Sequence, residues 1–211
     1  MHPIAIATAA VILATGLLPA VAAAHAPSVD TAERSGPESA LVLEDPTLSR
    51  AVGATIAVPG EQDWYRMDLR AGDPLIVGMT APIAAGEIAA TFVLLGPGLP
   101  APDPADAELV ALATEAGATG GLRFQPLAEP RVENHAGLGF RNYGQISMET
   151  PVDGAYHVVA FAVDPAATGK YVLAPGLREE FGPDAMDGYV ALVELFLAEW
   201  PPQPEASPSA G

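Results

Sequence analysis

An all-β fold, an antiparallel β-sandwich of jelly-roll type with about eight strands and a packed C-terminal helix, is predicted by three observations. Short apolar runs follow one another from Ala51 to Pro175, Gly, Pro and Asp divide them, and several alternate apolar with polar side chains at the two-residue period of a strand. The predicted strands are 54–59, 63–69, 74–80, 88–95, 122–127, 144–150, 155–163 and 170–175. In DWYRMDL, Tyr65, Met67 and Leu69 share one face and Trp64, Arg66 and Asp68 the other, so one side enters a core. In AYHVVAFAV both faces are largely apolar, which predicts a central strand with cover on its second side.

Turn chemistry supports the same scheme. PGEQD, RAGDP and VDPAATGK place Gly and Asp where the chain must reverse, and Asp63 and Asp73 read as turn-capping residues. The Pro-rich interval 96–107 cannot lie inside a ladder and predicts an acidic edge loop. For residues 106–118 the Ala content favours a helix, while the surrounding β domain favours a strand. Gly182, Pro183 and Asp184 signal a helix start, and the apolar pattern runs to Trp200 before two prolines stop it. Met186, Tyr189, Val193, Phe196 and Trp200 form the predicted core stripe, widened by Val190 and Leu197. Glu194 and Glu199 make this helix a poor membrane span, so it packs on the sandwich or docks on a partner or membrane surface.

At the other end, Met1–Ala24 carries a long apolar run ending in AVAAA, the pattern of a secretory signal peptide cut before His25, although no Lys or Arg precedes the run. The sequence thus divides into 1–24 (signal peptide), 25–50 (polar segment, partly ordered), 51–176 (sandwich), 177–200 (amphipathic helix) and 201–211 (disordered tail). A periplasmic or extracellular location follows, with no transmembrane span in the mature chain. There is no cysteine, so disulfides and thiolate metal sites are excluded. A net charge of −17, with nine basic residues set singly, excludes a nucleic-acid partner and disfavours anionic lipid.

A resemblance joins these observations. VPGEQDWYRMDLRAGDPLIVGM (58–79) and GAYHVVAFAVDPAATGKYVLAPG (154–176) resemble the bacterial pre-peptidase C-terminal domain. Asp63, Trp64 and Tyr65 match its strand pattern, Ala71, Gly72 and Asp73 its turn, and Tyr156, Val158, Gly169, Tyr171 and Leu173 its closing hairpin. The resemblance implies a compact accessory sandwich of secreted proteins and carries little about catalysis.

The main functional expectation is a noncatalytic exported module that binds a protein partner or envelope-surface ligand. An exposed apolar patch of Trp64, Tyr143 and Phe161 is its candidate surface. The first alternative is copper binding: cleavage before His25 would leave an α-amine beside an imidazole, and His135 or His157 would complete a three-nitrogen site. Calcium ranks behind copper, with Asp103, Asp106 and Glu108, or Glu44 and Asp45, as oxygen ligands. An enzyme of unrecognised class comes last, because Ser147 lacks a nucleophile-elbow setting and GATGG lacks the Lys-Ser/Thr of a phosphate loop.

Overall fold

A computed structural model of the chain describes residues 26–29, 32–84, 86–135, 138–180 and 185–198. The signal-peptide segment, His25 and the C-terminal tail lie outside the described residues. Two sheets face each other. One has six strands in the order β1 (Ala26–Val29), β3 (Arg50–Ile56), β11 (Gly169–Pro175), β5 (Pro74–Pro82), β9 (Leu138–Glu149), β8 (Arg131–His135). The other has five, in the order β2 (Leu41–Val42), β4 (Asp63–Leu69), β10 (Gly154–Ala162), β6 (Ala90–Gly96), β7 (Gly120–Arg123). Helix α1 (Ala107–Glu115) and helix α2 (Ala185–Leu197) complete the fold.

The predicted sandwich is therefore present, but the jelly-roll with about eight strands is corrected to eleven strands in two mixed sheets among the described residues. The mixing comes from the N-terminal segment: β1 runs parallel to β3, and β2 runs parallel to β4. Within the polar segment expected at 25–50, the described residues supply two edge strands and a 3-10 turn (Pro37–Ser39). Polar composition hid them, because an edge strand needs backbone pairing more than apolar side chains.

The alternation around Tyr65 holds. Tyr65, Met67 and Leu69 meet Phe92, Leu94, Tyr156 and Val158 from their own sheet and Val77, Met79, Tyr171 and Leu173 from the other, forming the inter-sheet core. The opposite face of β10 is covered as its apolar character required. Trp64, Val93, Leu95 and Val159 pack under Leu109, Leu112 and Ala113 of α1. Asp106 caps that helix by accepting the Leu109 N–H at 3.1 Å, and so residues 107–115 settle as helix.

Helix α2 roofs the other sheet. Leu192 and Phe196 pack with Phe140 and Val172, and Leu195, Val29, Ala51 and Leu138 surround them. Two glycines permit this close approach: a Cβ on Gly53 would lie 2.3 Å from Leu192 Cδ1, and one on Gly188 would lie 2.0 Å from the Pro27 carbonyl oxygen. The result is four layers, helix–sheet–sheet–helix. Among the described residues no helix is long and apolar enough to cross a membrane.

Candidate functional site

Three places in this frame gather chemically competent side chains: a polar knot between the sheets, a Trp–His pair under α1, and the outward face of α2.

The knot begins with Arg34, which sequence composition places in a solvated entry segment. The Trp64 N–H donates to the Arg34 carbonyl at 3.0 Å, which lays this segment along the edge of β4. The guanidinium then enters the protein. Arg34 Nη2 lies 3.2 Å from Asp63 Oδ2, with each side chain only 3% exposed, and the guanidinium sits 4.9 Å over the Tyr65 ring. Tyr171 Oη donates to Asp63 Oδ2 at 2.5 Å and is 2.7 Å from Tyr65 Oη, so Tyr65 donates to Tyr171 in turn. Four side chains thus tie β4, β11 and the N-terminal segment together.

Asp63 is consequently not a turn cap, whereas Asp73 is one, accepting from the Arg70 N–H at 2.9 Å. Burial raises the Asp63 carboxyl above its ordinary value, opposed by the Arg34 charge and the Tyr171 hydrogen bond. Burial also holds Tyr171 well above its ordinary value, reinforced by Tyr65 and Asp63. A shallow cleft of 390 Å³ beside the knot is lined by Glu33, Arg34, Ser35, Val58, Gly60 and Glu61. Its cationic lining residue, Arg34, is committed to Asp63.

The second place holds two sequence-predicted residues. Trp64 is fully buried and His157 is 6% exposed, with ring centroids 6.0 Å apart in an edge-on arrangement. Among the described residues neither Trp64 Nε1 nor His157 Nδ1 has a hydrogen-bond partner. Burial depresses the His157 imidazole below its ordinary value, the Arg66 charge adds to this, and Asp68 opposes it. The ring is therefore neutral near pH 7.

The expected surface patch of Trp64, Tyr143 and Phe161 is corrected by these placements. Trp64 belongs to the layer under α1 with Phe161 half-buried beside it, while Tyr143 points into the inter-sheet core from the other sheet. The apolar outer face of β4 and β10 is spent on α1.

Of the histidines expected to hold copper, His25 lies outside the described residues, and His135 and His157 are placed apart. His135 ends β8 at one edge of the six-stranded sheet, and Ala26, next to His25, begins β1 at the other edge. Five strand spacings separate those edges, roughly 24 Å. His157 lies in the other sheet altogether. Among the described residues no group of three or more His, Cys, Asp or Glu side chains could hold a metal ion. Three of the carboxylates considered for calcium, Asp106, Glu108 and Asp45, are engaged elsewhere. Arg123 takes both Asp106 oxygens at 2.5 and 2.7 Å and reaches Glu108 at 2.7 Å, holding Asp106 down at about 2. Asp45 accepts from Thr47 Oγ1 at 2.8 Å and pairs with Arg178.

The third place is α2. Its buried face is Leu192, Leu195 and Phe196, rotated away from the predicted stripe, and Lys170, itself only 1% exposed, donates to the Phe196 and Ala198 carbonyls at its C-terminal end. Val190 and Leu197, expected to widen the core stripe, are 48% and 70% exposed. Asp187 and Glu194, both exposed, line one flank of that outward pair. Sequence periodicity misses the rotation because α2 is apolar around more than half its circumference, so the pattern does not single out one face.

The fold and these places define a helix-roofed β-sandwich. No protein-family model matches the chain, and no curated protein matches it. Among solved structures it is similar to a surface-associated copper-binding protein, CorA, important in copper acquisition by Methylomicrobium album BG8. The two share 12% sequence identity and a TM-score of 0.36, over 66% of this chain and 98% of that one.

Proposed function

We propose that the chain is an exported, noncatalytic binding domain that docks a protein partner through the outward face of α2. The observation that carries this reading is the pair Val190 and Leu197: two large aliphatic side chains left in water on a helix whose other face is already satisfied by the sandwich. They are two helical turns apart on one stripe, which is the spacing with which a helix anchors in a groove. Export rests on the Met1–Ala24 pattern. Kinship with pre-peptidase C-terminal accessory domains is supported by its motif residues falling on β4 and the β4–β5 turn; the expected closing hairpin is corrected, because β10 and β11, which carry its residues, lie in opposite sheets and do not pair.

The test is site-specific photo-crosslinking in the cells that make the protein, with the crosslinker at Val190 or Leu197 and, as controls, at the exposed Val132 and Val152. A discrete adduct from the α2 positions alone is expected. Equal labelling from all four positions, or none from α2, overturns the docking role.

A second reading, copper held at the mature N-terminus, is supported by the chemistry of an α-amine next to the His25 imidazole. His157 is a neutral imidazole with a vacant Nδ1, but the sheet arrangement keeps it apart from His135. Intact mass of the exported chain followed by copper stoichiometry decides this reading. One copper per chain, lost when a residue precedes His25, is its expected result; no copper uptake by a chain beginning at His25 overturns it.

A further inference from the structure

The charge around the outward face of α2 specifies the chemistry of what covers it. From Glu179 to the C-terminus the sequence holds Glu179, Glu180, Asp184, Asp187, Glu194, Glu199 and Glu205, with no Lys or Arg. Two of these, Asp187 and Glu194, stand three residues before and four residues after Val190, and Glu194 is three before Leu197. Carboxylates and aliphatic side chains therefore alternate along the exposed stripe at helical-neighbour spacing. Val190 and Leu197 are seven residues apart, roughly 10 Å along the axis. The two cations that precede the helix most closely in sequence neutralise nothing on this stripe. Arg178 pairs with Asp45 and Glu180, and Lys170 is buried beneath the helix, facing its terminal carbonyls.

Resting on the docking role of α2, we infer that the partner is a protein presenting an apolar groove rimmed by Lys or Arg, which receives Val190 and Leu197 in the groove and pairs its rim with Asp187 and Glu194. A second copy of this chain is a poor occupant, because two bodies of net charge −17 would bring the same acidic flank face to face. An anionic membrane surface is repelled for the same reason.

The experiment uses the mature chain and two helical peptides of about 21 residues with the same leucine spacing, one flanked by Lys and one by Glu. Binding of the Lys-flanked peptide is expected, about tenfold weaker after a rise from low to high salt, with no binding of the Glu-flanked one. The exposed double variant V190D/L197D, checked for native fold by circular dichroism, is expected to lose the interaction about tenfold or more. The variant D187K/E194K is expected to transfer the preference to the Glu-flanked peptide. Equal binding of the Lys-flanked peptide to V190D/L197D overturns the inference by reducing it to bulk attraction, and equal binding of both peptides removes the basic rim. An α2-dependent dimer in sedimentation assigns the face to self-association instead. Capture by neutral phosphatidylcholine vesicles, lost in V190D/L197D, assigns it to a membrane. Crosslinks from Val190 and Leu197 without any Lys-peptide binding would leave the docking role standing and sink the basic groove alone.

Discussion

Replacing Asp63 by Asn removes one charge from a pair whose side chains are each 3% exposed, and it tests whether the polar knot holds the sandwich together. The amide can still accept from Tyr171, but the buried Arg34 guanidinium loses the carboxylate it faces and cannot shed its proton. Breaking a buried pair from one side costs about 3–5 kcal/mol. For a domain of this size each kcal/mol lowers Tm by about 2–4 °C, giving a drop of roughly 6–20 °C. Arg34→Met is expected to cost less, because the Asp63 carboxyl that it strands can take up a proton. The sign of its pH dependence follows. Asp63 has a folded value above its unfolded 3.8, so the stability it contributes is full below 3.8 and is lost as pH rises through the folded value. Without Arg34 that folded value climbs further, and the loss extends to higher pH. Urea unfolding of both single variants and the double variant across this range is the assay, and the double is expected to cost less than the sum by about 0.5–3 kcal/mol. A cost below about 1 kcal/mol for Asp63→Asn, or strict additivity, would refute the account of the knot as one cooperative unit.

Two further outcomes follow from the helix-covered faces. His157 has a folded value below its unfolded 6.5, so its contribution is present above 6.5 and is lost as pH falls through the folded value; His157→Gln should flatten that part of the stability profile, and an unchanged slope in urea midpoints speaks against the burial argument. Gly188→Ala should destabilise the protein although Ala is the better helix former by about 1 kcal/mol, because its Cβ would stand 2.0 Å from the Pro27 carbonyl oxygen; faster hydrogen exchange in α2 is the readout, and slower exchange would contradict the close contact between α2 and β1.

The strands most readable in the sequence are those whose side chains face a core. Residues 63–69 are predicted and found at the same bounds, and β10 and β11 differ from expectation by one residue at their ends. Alternation carries this information because burial selects side chains at every second position. The edges are illegible for the complementary reason. β1, β2 and β8 contribute backbone pairing at the sheet margins with Pro27, Val42, Arg131 and Glu133 among their residues, a composition shared with loops. The polar knot escapes a sequence reading because its members are 137 residues apart in sequence, 171 − 34, and because a lone Arg in a polar segment carries no local mark of burial. Only Trp64 and Tyr65 following Asp63 hint that the carboxylate is carried inward with its strand.

The distribution of the arginines links the fold to the binding proposal. Arg34 is spent on Asp63, Arg66 on Asp68, Arg123 on Asp106 and Glu108, Arg141 on Glu87, and Arg178 on Asp45 and Glu180. Each pairing neutralises acid within the body of the sandwich or along its loops. None of these five reaches the outer stripe of α2, where Asp187 and Glu194 flank the exposed aliphatic pair. Covering Val190 and Leu197 with an uncharged apolar surface would draw those carboxylates out of water without compensation, a cost that rises with the completeness of the seal. A partner that supplies cations at the rim removes that cost while the aliphatic contact provides the affinity. The outward face of α2 therefore discriminates by charge as well as by shape, since an apolar groove lacking a basic rim gains the same contact and forfeits it in desolvation.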